Sequence, residues 1–225
     1  MVIDEIKGNV LFDGLNEEEI QTCLACSNAK VKTYDKNQLV FSQMEPPKSL
    51  YLLLNGSVTV CRDTFDGKKH VVTTIEEKGI FGEVYVFLEK EDYSYYVIVN
   101  AESRILEIPK EFFFSTCNES CRAHSVIIQN MLGILAGKAY YLNNKLQLLT
   151  SGSLRQRISK YLIENCQNNK YVKLPMNREQ LSAYLNVARP SLSRELTRMQ
   201  EEELIEVDRD MVKILDFDGL NACIK

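Results

Sequence analysis

Histidine is almost absent from this 225-residue chain, which holds only His70 and His124. Enzymes of the cupin type need several histidines on neighbouring strands to hold a metal, so that reading lacks its ligands. No glycine-rich phosphate loop, nucleophile elbow or zinc-type spacing occurs either. No apolar run approaches the ~20 residues of a membrane span, and the opening MVIDEIKGNV has neither the basic nor the apolar region of a secretion signal. The expectation is a cytoplasmic protein that is not an enzyme and uses no membrane, metal or cofactor. The seven cysteines, an odd number with no secretion signal, then read as reduced thiols and not as a disulfide framework.

What remains is an ordinary globular composition, 45% hydrophobic and 26% charged, over a length that suits two domains. The net charge of −4 divides unevenly. Residues 151–225 hold 12 Lys+Arg against 11 Asp+Glu, and the first 150 residues hold the other 15 and 20, so the balance is +1 against −5. An anionic partner would have to be met by a local patch on the last third and not by a global field.

Residues 176–199, MNREQLSAYLNVARPSLSRELTRM, read as two short helices and a tight turn. Asn177 and Gln180 have capping-box spacing, and Leu181 and Leu185 share one face. Asn186 stands where the chain must turn and tolerates positive φ. Pro190 suits the first position of a second helix, with Arg189 as its cap. At 100° per residue, Leu192, Leu196 and Met199 gather on one side, while Pro190, Ser193, Arg194 and Thr197 point the other way. Two short strands around Asp208-Arg209-Asp210 follow, as the wing of a winged helix-turn-helix does. Arginine and short hydroxyls on an outward helix face are groups that read base edges in a DNA major groove.

Upstream, Asn16 and Glu19 form another capping-box pair ahead of a short helix. Strand-like runs then follow at 32–41, 49–54, 57–61, 71–75, 93–100 and 104–108, separated by turn signals such as Asn55-Gly56 and Asp66-Gly67. They predict an antiparallel roll whose mouth could hold a small molecule. Beyond Phe112 the period changes. Ile128, Leu132, Leu135, Ala139, Leu142, Leu146 and Leu149 recur at spacings of 4 and 3, the heptad seam of a long helix paired with its twin in a parallel dimer. Thr150 to Ser153 break the seam, and Ser153 with Gln156 caps a new helix. The expected division is a sensing roll over 1–120, a dimerisation helix over 121–150 and a DNA-binding domain over 151–225, an α+β chain.

The order of these parts resembles the Crp/Fnr family of bacterial transcription regulators over nearly the whole chain. Residues 49–60 (SLYLLLNGSVTV) resemble its hairpin, Asp66-Gly67-Lys68 its turn, residues 79–87 (GIFGEVYVF) its phosphate-cassette loop, and Arg189-Pro-Ser-Leu-Ser-Arg194 its base-reading segment. The resemblance implies a homodimer on double-stranded, inverted-repeat operator DNA, with RNA polymerase as a partner and an effector bound in the roll. It implies Arg189, Ser191, Ser193 and Arg194 as base or phosphate contacts, and it makes Arg178, at the start of the first helix, a candidate phosphate clamp. Gly82, Glu83, Tyr93, Ser94 and Asn143 are the candidate effector contacts. Family members that bind cyclic AMP carry an Arg-Ser pair where this chain has Tyr93-Ser94. A phenol cannot supply a guanidinium's charge or fork of donors, so the expected effector is not cyclic AMP. Pro190 stands where relatives commonly place a cytosine-reading glutamate, which predicts a different base preference. Relatives that sense oxygen or nitric oxide make Cys23/Cys26 a cluster candidate and His70 or His124 a haem candidate. Cys117/Cys121 is a thiol-sensing alternative. A roll-type sensor attached to a protein-binding tail is the competing class, and it leaves the Arg/Ser helix face unexplained.

Overall fold

The computed structural model describes residues 2–64, 67–114, 122–150, 152–166, 170–174 and 177–224. The chain divides into two compact units, residues 1–135 and 136–225.

The first unit opens with α1 (Val2–Ile6), a 3-10 turn at Val10–Phe12 and α2 (Glu17–Cys26). Asn16 caps α2 by accepting from the Glu19 amide while the Glu19 carboxylate accepts from the Asn16 amide. The strands are β1 (Lys30–Tyr34), β2 (Leu39–Phe41), β3 (Ser49–Asn55), β4 (Ser57–Asp63), β5 (Lys69–Glu76), β6 (Ile80–Phe81), β7 (Tyr96–Val99) and β8 (Ser103–Pro109). Helices α3 (Glu83–Phe87) and α4 (Glu111–Phe114) lie before β7 and after β8. Among the described residues these strands form two four-stranded antiparallel sheets, in the orders β1-β8-β3-β6 and β2-β7-β4-β5.

The single strand expected over 32–41 is two strands, one in each sheet. The Asp35 amide donates to Gln38 Oε1 at 2.8 Å and Asn37 takes φ +69°, so the side chain closes a turn that carries the chain across. Likewise the strand expected over 93–100 starts only at Tyr96. The central β3 is buried on both faces, which is why it reads as a continuous apolar run. Leu50, Leu52 and Leu54 pack with Ile6, Leu11, Leu106 and Ile108, while Leu53 and Tyr51 pack with Phe41, Val58, Val97 and Ile105 between the sheets.

The long helix α5 (Arg122–Thr150) begins in the first unit and ends in the second. Ala123, Ile127 and Met131 join the first unit's core, and Leu148 joins the second's. The seven seam positions form a different stripe. Leu132, Leu142 and Leu146 are each more than 60% exposed, Ala139 is exposed, and Ile128, Leu135 and Leu149 are half-buried.

The second unit contains α6 (Leu154–Glu164), β9 (Tyr171–Lys173), α7 (Arg178–Tyr184), α8 (Arg189–Glu201), β10 (Ile205–Asp208), β11 (Met211–Ile214) and α9 (Phe217–Ile224). Ser153 and Gln156 form the expected capping box on α6. The wing hairpin β10-β11 gains a third strand, β9, with Val172 opposite Val212. Three residues with a single buried valine are too short to show a period in the sequence. Leu181 and Leu185, with Leu192, Leu196 and Met199 of α8, meet Ile158, Leu162, Val212 and Leu220 in one core. Leu192 has no exposed surface there. Leu192→Ala is therefore expected to cost ~2–5 kcal/mol, read as a lowered urea midpoint for the second unit, whereas Thr197→Ala on the opposite face should leave it nearly unchanged.

Candidate nucleic-acid interface and effector site

The turn between α7 and α8 follows from local chemistry. Asn177 Oδ1 accepts from the Gln180 amide at 2.9 Å, and Gln180 Oε1 accepts from the Asn177 amide at 3.0 Å. Asn186 makes the turn at φ +52°. Helix α8 starts one residue earlier than its proline suggests: Ala188 is the cap and Arg189 the first helical residue. Pro190 still falls in the first turn, where amides have no intrahelical acceptor and a missing N–H costs nothing.

The two faces of α8 separate cleanly. Leu192, Leu196 and Met199 are buried, while Arg189, Pro190, Ser193, Arg194 and Thr197 are exposed and Ser191 is half-buried. Arg194 Nε donates to the Pro190 carbonyl at 3.3 Å, and the Thr197 hydroxyl donates to the Ser193 carbonyl at 3.1 Å. The first of these lays the Arg194 stem along its own helix.

Sequence reasoning missed the residue that clamps this helix. Arg155 of α6 donates through Nε to Glu195 Oε1 at 2.6 Å and through both Nη atoms to the Glu202 carboxylate at 2.6 and 2.8 Å. The paired guanidinium holds the Glu202 carboxyl below its ordinary range. An arginine whose partners lie 40 and 47 positions away leaves no local signal in the chain. Arg178, at the first position of α7, is half-buried, and burial alone pulls its guanidinium below its ordinary value. Its Nη1 is buried with no hydrogen-bond partner among the described residues.

In the first unit, Gly82 caps α3 at φ +82°, and a Cβ there would lie 2.9 Å from the Tyr51 ring. Only glycine fits both the angle and the space. Glu83 is buried in the first turn of α3. Tyr93 is 3% exposed and stacks on Phe41 at 3.8 Å between ring centroids, while Tyr51 stacks on Phe81 at 5.1 Å and lies 5.4 Å from Phe41. Four rings thus fill the space between the sheets. Burial pushes the Tyr51 phenol up to about 12 and the Tyr93 phenol higher still, so both are neutral at physiological pH. Ser94, beside Tyr93, is exposed, and its carbonyl accepts from Gln43 Nε2 at 2.9 Å. Above Tyr93 the roll opens into a cavity of about 720 Å³ whose walls include Gln43, Met44, Arg62, His70 and Ser94.

The remaining candidates scatter. Asn143 is an exposed residue of α5 in the second unit. Cys23 is buried in the first unit's core beside Ile20, and Cys26 is exposed. His124 is buried and stacks on Phe112 at 4.3 Å, whereas His70 is exposed on β5. Cys117, Cys121 and the Asp66 turn position lie outside the described residues. Among the described residues, no group of three or more His, Cys, Asp and Glu side chains could hold a metal ion, and no helix is long and apolar enough to cross a membrane.

Two family models match the chain. One, described as a cyclic nucleotide-binding domain, covers residues 31–120, and the other, a Crp-like helix-turn-helix domain, covers residues 156–223. The chain belongs to the Crp/Fnr family of transcription regulators. It is 23% identical to the cyclic AMP receptor protein of Thermus thermophilus over 93% of this chain and 94% of that protein. With the nitrogen fixation regulation protein FixK of Rhizobium meliloti it shares 22% identity over 85% and 86% of the two chains. Among solved structures it is similar in fold to the Thermus thermophilus catabolite activator protein, with a TM-score of 0.53 and 20% identity over 96% and 98% of the two chains. DNR from Pseudomonas aeruginosa gives a TM-score of 0.51 at 21% identity over 99% and 96%. In this Crp/Fnr member the helix-turn-helix match contains the α7–α8 pair and the wing, and the cyclic nucleotide-binding match contains the ring-filled roll.

Proposed function

We propose that this Crp/Fnr regulator acts as a homodimer that recognises an inverted repeat in double-stranded DNA, under control of a small-molecule or redox signal other than cyclic AMP sensed in the roll. The exposed face of α8 carries the reading. Arg189, Arg194, Ser191, Ser193 and Thr197 offer donors suited to base edges and phosphates, on a helix whose other side is anchored in the core. Arg178 supports the same reading: it stands half-buried in the first turn of α7, where a guanidinium can donate to a DNA phosphate. In this reading residues 1–120 sense, 121–150 dimerise and 151–225 bind DNA, and RNA polymerase is the further partner.

The dimer rests on the uncovered stripe of α5. Leu132, Leu142 and Leu146 are each more than 60% exposed, and apolar residues at heptad spacing seek a matching seam. A signal other than cyclic AMP is favoured by Tyr93. One relative is a cyclic AMP receptor protein, yet the position where cyclic AMP-binding relatives carry an arginine holds a neutral ring packed against Phe41.

Four outcomes are expected. Arg194→Ala should weaken specific DNA by ~1–3 kcal/mol per half-site and relax preference at one base pair. Arg178→Ala should weaken specific and scrambled DNA alike and reduce the salt slope by about one per contact, both read by fluorescence anisotropy at several salt concentrations. Equal loss on both DNAs for Arg194→Ala would reduce it to a phosphate clamp. Leu142→Glu places like charges in the seam and should give monomers in light scattering; a dimer fully competent for DNA would refute the seam. Isothermal titration with micromolar cyclic AMP should show no heat of binding. Micromolar affinity together with a gain in DNA binding would overturn that exclusion.

A further inference from the structure

Resting on the effector-controlled reading above, we infer that the cavity at the mouth of the roll is a binding site for a small organic anion, with Arg62 of β4 as its charge partner. Between the sheets Phe41, Tyr51, Phe81 and Tyr93 pack ring against ring, and Tyr93 also lines an open cavity at the edge of the roll. That cavity is about 720 Å³, within the ~300–1,000 Å³ typical of small-molecule sites.

The walls give the ligand's chemistry. Arg62 and His70 are direct partners across the β4–β5 ladder and both line the cavity, so two nitrogen-donor side chains stand together on one wall. Among the described residues the exposed Arg62 side chain has no ion-pair partner, its charge reaching only the Tyr85 phenol, so its planar fork can meet a carboxylate or phosphate. Two acids also line the cavity. Asp63 is already engaged, because the Tyr96 hydroxyl donates to its Oδ1 at 3.0 Å. Asp92 is exposed at the segment that leads into Tyr93, and it forms no ion pair with Arg62. Ser94 and Gln43 add polar groups, already tied to each other by the 2.9 Å bond that holds the rim together. Met44, in the left-handed region at φ +63° and 82% exposed, stands at the same rim as an apolar contact for the ligand's carbon body. The cation absent at position 93 is thus replaced by one on the neighbouring hairpin, in a cavity reached from outside the roll.

Isothermal titration of the full chain with succinate, citrate, inorganic phosphate and glucose 6-phosphate tests the site and separates carboxylate from phosphate recognition. At least one probe is expected to bind saturably. Arg62→Ala should weaken that binding about tenfold or more, and Arg62→Lys, which keeps the charge but not the fork, should retain part of it. Arg62 is exposed, so the variants should melt with the parent and a folding defect is visible separately. Saturable binding untouched by Arg62→Ala overturns the assignment, and so does the absence of binding by every probe at millimolar concentration. If the same preparation still binds DNA by anisotropy, only the anion site has failed and the regulator reading stands; loss of DNA binding by the unmodified chain would instead strike that reading.

Discussion

Leu192, Leu196 and Met199 lie on one side of α8, and the second unit is built to keep them out of water. Helices α6 and α7, the three-stranded wing and α9 all contribute side chains to that core. Fully burying three such side chains contributes ~1.5–3 kcal/mol each. That term fixes which way α8 faces, and a rotation of one residue would bring Ser193 or Ser191 into the core unsatisfied. The outward display of Arg189, Ser193, Arg194 and Thr197 is therefore a consequence of packing, and it needs no tertiary contact of its own. The Arg155 clamp on Glu195 and Glu202 adds direction to this, since a bidentate guanidinium fixes angle as well as distance.

The first unit shows the opposite use of aromatic residues. A β-roll able to hold a ligand between its sheets must leave a void there, and voids cost contact energy unless something fills them. Here four rings fill it, with centroids as close as 3.8 Å. The rings pack the space between the sheets, and a cavity lined by Tyr93 lies at the mouth. The long helix α5 then carries two apolar stripes with different fates. Ala123, Ile127 and Met131 are satisfied by the first unit, whereas Leu132, Leu142 and Leu146 remain in solvent within a single chain.

The helical parts were legible in the sequence because their signals are local. The capping boxes of Asn16, Ser153 and Asn177 each depend on one residue and its third neighbour, and all three form as their spacing implies. The buried and exposed faces of α8 follow from the 100° step alone. What the sequence hid depends on side chains meeting from afar. The break between β1 and β2 rests on a Gln38 side chain folding back on Asp35, and α3 starts at a glycine whose need is set by the distant Tyr51 ring. Strand β9 is recognisable only once Val212 is opposite it. The filled interior was half visible. Tyr93 at the arginine position removed the charge, but the stacking on Phe41 joins residues 52 positions apart and leaves no spacing to read.

Selection of bound sequences from a random double-stranded DNA pool by the full chain tests recognition through α8 most directly. Two copies of α8 displayed by a symmetric dimer should enrich an inverted repeat whose half-sites are centred about one helical turn, ~10 base pairs, apart. Each half-site should hold a conserved guanine that Arg194 can read through its two parallel donors. A pool that stays unenriched after repeated rounds, or one that yields a single asymmetric motif, would contradict dimeric sequence-specific binding.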